Sequence, residues 1–136
     1  MFNIDIDMQI CHIGELAVPV IQRAMKLNVK SKVWIEIEGK AFFGEGRKRL
    51  LEEIEKTGSI SVAAANLGIT YRRAWCYIKS MEERSGVRFV NKTKGGAGFG
   101  GTTLTDEGKK LIKYYDSISG GTRSDVDKKF KKFRFP

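Results

Sequence analysis

Over residues 32–38 the sequence KVWIEIE alternates with period two, and a second short apolar stretch over 39–44 follows a turn centred on Glu38-Gly39, so the pattern predicts a β-hairpin. Helical periodicity begins near Gly46. Leu50, Leu51 and Ile54 form an apolar stripe while Arg47, Lys48, Glu52, Glu53 and Lys56 stay on the wet side, which predicts a first helix over about 46–56. Gly58 is placed to end it, and Ser59 or Ser61 to cap a short second helix carrying Ala63, Ala64, Ala65 and Leu67. Gly68 then supplies a position tolerant of positive φ, Ile69 fills the corner, and Thr70 caps a third helix running to about residue 84, with Ala74, Ile78 and Met81 facing inward. A small residue at 64 lets the two helices cross, and glycine at 68 makes the tight turn. Together these spacings predict a helix-turn-helix rather than a merely structural helical hairpin.

Downstream, residues 86–90 read as a strand and 102–104 as its antiparallel return, with the basic, glycine-rich run 91–101 between them as a wing tip. Thr105 caps a last helix with Asp106 and Glu107 at its positive end. On it Leu111, Ile112, Tyr115 and Ile118 recur at helical spacing, and a mixed role is expected of them: some cover the domain and some meet a second subunit. The fold class is mainly α with a small β wing, a winged helix-turn-helix preceded by a short hairpin. The domain limits are 32–119, an amino-terminal segment over 1–31, and a basic carboxy-terminal tail over 120–136. Within the first segment, residues 2–8 alternate and 15–27 form an amphipathic stretch for which a helix is expected despite Pro19; packing on the protein's own core is favoured there over a partner or lipid face.

Composition narrows the partner. The 136 residues carry 25 Lys and Arg against 16 Asp and Glu, a formal +9, which points to a polyanion: DNA, RNA or an anionic membrane surface. No apolar run is long enough to cross a bilayer, and the start is acidic where a signal peptide is basic, so neither membrane insertion nor export is expected. Cys11 and Cys76 form no CxxC pair, which suits a reducing, cytoplasmic setting. Cys11-His12 with Asp5, Asp7 or Glu15 has no recurring metal-ligand spacing, and no nucleophile or acid-base constellation surrounds the single histidine. No metal, cofactor or catalysis is expected. The glycines of the wing tip are not a nucleotide cradle, since the run is not GxxxxGK[ST] and does not precede a helix.

The charge falls where a helix-turn-helix meets DNA. The third helix presents Tyr71, Arg72, Arg73, Cys76, Lys79 and Ser80 near its outer face. Arg72 or Arg73 can bond guanine O6 and N7 in the major groove, and Thr70 and Tyr71 can touch phosphate, a base edge or a thymine methyl. An ordinary solvated face is the competing account of the two arginines. Trp75 and Tyr77 are expected to seal the core. Ser59 and Ser61 at the second helix, and Arg88, Lys92, Lys94, Gly95 and Gly96 on the wing, complete the candidate DNA-binding set; residues 87–101 hold three cations and no carboxylate. The stretch 123–136 adds six basic and two acidic residues interleaved with Phe130, Phe133 and Phe135, for which nonspecific DNA affinity is preferred over a solvated tail or docking on a partner or membrane.

The run from Val33 to Trp75, the glycine-rich wing and LTDEGKKLI over 104–112 are similar to the amino-terminal DNA-binding domain of the ModE molybdate-responsive transcriptional regulators, and more distantly to the winged domain of LysR-type regulators. The resemblance covers about residues 32–119. Its most distinctive pieces are Gly58-Ser59-Ile60-Ser61, Ala64, Gly68-Ile69, Tyr71, Ala74-Trp75, GGAGFGG and Leu104-Thr105. It implies a dimeric winged helix-turn-helix repressor or activator. The recognition-helix role would fall on Thr70, Tyr71, Arg72 and Arg73, and the wing role on Lys92, Lys94 and the glycines from Gly95 to Gly101. Full-length members of the family sense molybdate or tungstate through carboxy-terminal modules. This sequence departs from that plan, because only a basic tail follows residue 119, and Phe99 interrupts the glycine run. The functional expectation is a homodimeric, sequence-specific regulator that occupies an operator in double-stranded DNA. The alternative is a winged module that binds an unidentified protein partner or nucleic acid without sequence preference.

Overall fold

The computed structural model describes residues 27–94 and 101–134. The alternating run over 2–8, Cys11, His12, most of the amphipathic stretch 15–27, and Gly95 and Gly96 lie outside the described residues. The chain divides into two units, Met1–Lys30 and Ser31–Pro136, and every described helix and strand belongs to the second.

That unit begins with an antiparallel hairpin, β1 (Trp34–Ile37) and β2 (Lys40–Gly44). Glu38 and Gly39 both adopt positive φ, 51° and 73°, the backbone of a tight two-residue hairpin turn and the position expected from sequence. The register shifts between Ile35 and Glu36, which pair with Phe43 and Ala41, so Phe42 is an extra residue on β2. This irregularity sends both neighbouring phenylalanines inward: Phe42 stands 5.9 Å from Phe89, and Phe43 packs edge-on to Tyr115 at 5.4 Å.

Three helices follow, α1 (Glu45–Thr57), α2 (Ile60–Asn66) and α3 (Tyr71–Ser85). Gly58, at φ 70°, ends α1, and Ser59 rather than Ser61 caps α2, its hydroxyl accepting from Val62 N at 3.2 Å. Gly68, at φ 67°, makes the turn into α3, whose cap is Thr70 accepting from Arg73 N at 3.1 Å. Leu50, Leu51, Ile54, Ala63, Ala64, Ala74, Ile78 and Met81 are all buried and form the core between these helices. The inward stripe read from sequence on α3 is therefore the stripe observed.

The wing is β3 (Val90–Thr93) paired antiparallel with β4 (Gly101–Leu104), Val90 opposite Leu104 and Thr93 opposite Gly101. Its first strand starts later than the expected 86–90. Gly86, at φ 69°, is the left-handed cap of α3, and the amides of Phe89 and Val90 are taken by the Glu82 carboxylate at 2.9 and 3.3 Å, so 86–89 is a side-chain-bonded connection. The wing is tied to the body at Gly58, whose carbonyl accepts from Thr102 N at 2.8 Å.

The last helix, α4 (Asp106–Lys131), runs straight across the domain limit expected at 119. Its capping by Thr105, which accepts from Gly108 N at 3.1 Å, is as expected. Its length is not. The helix carries on through Gly120 and Gly121 into the basic stretch expected as a tail, and Thr122 Oγ1 bonds back to Ile118 O at 3.0 Å. Ile112, Tyr115 and Ser119 are buried, whereas Tyr114 and Ile118 are exposed. Lys48 on α1 reaches Asp116 on α4 at 2.7 Å, and Tyr115 Oη donates to Val33 O at 2.8 Å, fastening α4 to α1 and the hairpin. Helix, turn, helix and wing make a winged helix-turn-helix.

A candidate nucleic-acid interface on α3 and the wing

At about 3.6 residues per turn, burying Ala74, Ile78 and Met81 fixes which side of α3 meets solvent. Arg72, Cys76 and Lys79 lie along the middle of the outward face and are all exposed. Arg72 pairs with no carboxylate among the described residues. Lys79 meets Glu83 at 3.6 Å one turn further on, a solvent-exposed pair of little strength. Glu83 also repels phosphate, so the face suited to a polyanion is the first two turns.

The two flanks of α3 differ. On the wing side, the Lys92 ammonium from β3 stands 3.8 Å above the ring of Trp75. Trp75 is packed partly against the core, as expected from sequence, but its outer surface also holds a wing cation. On the hairpin side, Arg73 Nε donates to Tyr77 Oη at 2.7 Å, and the Tyr77 ring carries the Arg73 and Arg47 guanidinium groups at 5.5 and 5.4 Å. Arg47 in turn donates to the carbonyls of Ala41, at 2.9 Å, and Phe42. Burial, with the nearby positive charge of Arg84 second, lowers the Arg47 pKa from the ordinary arginine value. The sequence treated Arg72 and Arg73 alike; the fold places them differently.

Between the start of α2, the start of α3 and the wing lies an open groove of about 230 Å³, lined by Ser59, Ser61, Tyr71, Lys92 and Thr93 among others. Four of the candidate residues thus meet in one place. Ser59 is partly occupied as a cap, while Ser61 and Tyr71 are exposed. Thr70 likewise spends its hydroxyl oxygen on the α3 cap. Arg88 and Lys94 are exposed at the base and the rising edge of the wing, Arg88 in the connection rather than in a strand. A larger groove of about 420 Å³ lies at the hairpin, lined by Val33, Trp34, Phe43, Arg47 and Tyr77 among others, away from the face that carries Arg72. Missing from the sequence reading were Tyr77 and Trp75 as holders of cations, and Glu82 as the clamp between α3 and the wing. Each depends on a partner from another element, and no local spacing signals it. Among the described residues no group of three or more His, Cys, Asp or Glu converges on one point. No helix among them is long and apolar enough to cross a membrane.

This arrangement of capped helices, glycine turn and tethered wing defines a DNA-binding type of domain, and comparison with known proteins agrees. Residues 47–109 match the family of bacterial regulatory helix-turn-helix proteins of the lysR type, so the chain contains a LysR-type helix-turn-helix domain. It is also similar to the transcriptional regulator ModE of Haemophilus influenzae, 34% identical over 91 residues, which are 67% of this chain and 36% of that protein. The DNA-binding transcriptional dual regulator ModE of Escherichia coli is 38% identical over 85 residues, 62% of this chain and 32% of that one. The molybdenum-pterin-binding protein MopB of Rhodobacter capsulatus is 40% identical over 81 residues, 60% of this chain and 30% of that protein. The matched region spans about a third of the length of these curated relatives.

Proposed function

We propose that the protein is a sequence-specific DNA-binding transcriptional regulator that acts as a dimer at an operator. The observation that carries this reading is the outward face of α3, where Arg72 and Lys79 stand exposed beside a groove walled by the wing cation Lys92. In the major groove Arg72 presents a planar fork of donors to guanine, the commonest specific contact between side chain and base. Ser61, Tyr71, Lys92 and Lys94 then bond the sugar-phosphate backbone and fix register. The named activity of the ModE relatives, transcriptional regulation, supports the same assignment.

Dimer action is supported by α4. With Tyr115 and Ile112 turned inward, Tyr114 is 65% and Ile118 51% exposed on the neighbouring face, with Leu111 beside them. Two copies related by a two-fold axis would bury this strip and bring two recognition helices to a palindromic site. The test is selection of duplexes from a random pool by the purified protein at near-physiological salt. A palindromic motif with half-sites about one helical turn apart is expected; a folded protein that enriches no motif overturns the reading in favour of binding without sequence preference. The variant R72A/R73A is expected to lose preference among duplexes, and retention of the motif by that variant would remove α3 from the reading role.

A further inference from the structure

The two cations that flank the outward face of α3 are each braced by an aromatic ring, and Arg72, in the middle of its first turn, is not. Arg73 is bonded through Nε to Tyr77 Oη at 2.7 Å, and Lys92 sits over Trp75 at 3.8 Å, while Arg72 between them is exposed. A helix in a major groove has base edges before the middle of its outer face and a phosphate strand along either side. We infer that Tyr77 is a positioning residue that holds Arg73 against the phosphate strand on the hairpin side of α3, opposite Lys92, and so leaves base reading to Arg72. This rests on the DNA-binding role of α3 proposed above.

The chemistry of the brace fits that division. A guanidinium has five N–H donors; with Nε given to Tyr77, the terminal nitrogens remain free to fork onto a phosphate. The Tyr77 ring also carries the Arg47 guanidinium, which is anchored on the β2 carbonyls of Ala41 and Phe42. Arg73 is therefore registered to the rigid hairpin rather than left on a flexible stem. Fixing such a side chain before binding removes an ordering cost that corresponds to about twofold to tenfold in affinity.

The experiment compares wild type, R72Q, R73Q, Y77F and R73Q/Y77F on the most enriched duplex and on a scrambled duplex of equal composition, across a salt series. R73Q is expected to weaken both duplexes alike, to leave the selected motif unchanged and to lower the salt slope by about 0.9. Y77F, which keeps the ring and loses the hydroxyl, is expected to weaken binding about twofold to tenfold in the wild-type background and not at all beside R73Q. The Arg73 Nε–H proton, slowed in exchange with water by its bond to Tyr77, is expected to be lost from the NMR spectrum of Y77F while the backbone amide spectrum stays in place. A change of base preference in R73Q, or an equal effect of Y77F in both backgrounds, overturns the inference and leaves α3 as a reading helix. Unaltered preference in R72Q, with R73Q also silent, overturns the proposed reading itself.

Discussion

A side chain added at Gly108 would bring its Cβ to 2.7 Å from the carbonyl oxygen of Phe89, backbone that cannot swing aside. That oxygen also accepts from Thr105 N at 3.0 Å, so the first turn of α4 is seated directly on the start of the wing. G108A is expected to lose about 1–3 kcal/mol of stability, the usual cost of overpacking, measured by urea denaturation. G120A, with open space around it, should be neutral or stabilising, because alanine is the better helix former. Nothing in the sequence separates these two helical glycines. By contrast Gly58, Gly68 and Thr70 were legible, and the α2 cap was narrowed to Ser59 or Ser61, because a left-handed turn and a helix cap each demand a residue type at a position set by local chain geometry.

Among the elements, α1, α2 and α3 were readable to within one or two residues, since their apolar spacing and their ends both lie in the local sequence. The first wing strand was displaced because Glu82 takes the amides of Phe89 and Val90, a long-range decision that alternation cannot reveal. The wing carries its own test. If Lys92 and Lys94 meet phosphate, K92Q/K94Q should bind many duplexes more weakly, with a salt slope reduced by up to about 0.9 for each phosphate no longer neutralised; an unchanged slope would show that the wing stays off the backbone. The seat of α4 has a pH signature. The Lys48 pKa is raised from its ordinary value chiefly by its hydrogen bond to Asp116, and that of Tyr115 chiefly by burial. Both groups favour the folded state in their protonated forms. Their contribution is complete below the ordinary tyrosine and lysine values and is lost as pH rises through the raised ones. Thermal melts should therefore fall on the alkaline side, and less steeply for Y115F, which cannot ionise.

For the whole molecule, the excess of nine positive charges is not spread evenly. Part of it lies at the end of α4, where Lys128, Lys129 and Lys131 occupy the last turn and complement the negative end of the helix. The proposed dimer predicts that I118E or Y114E shifts the sedimentation coefficient toward the monomer and raises the protein concentration needed for operator binding, with helix content unchanged. The helix stands past its last buried residue at Ser119, and its continuation was not legible because helical bonding persists there where apolar packing, which sequence patterns report, has ended.

Gly58 closes α1 through its own amide, stands immediately before the cap of α2, and through its carbonyl receives the returning strand of the wing. The helix pair and the wing that would grip DNA are thus positioned from a single residue. The end of α1 is therefore a shared anchor: one residue joins the helix that precedes it, the helix that follows it and the strand that returns from the wing tip.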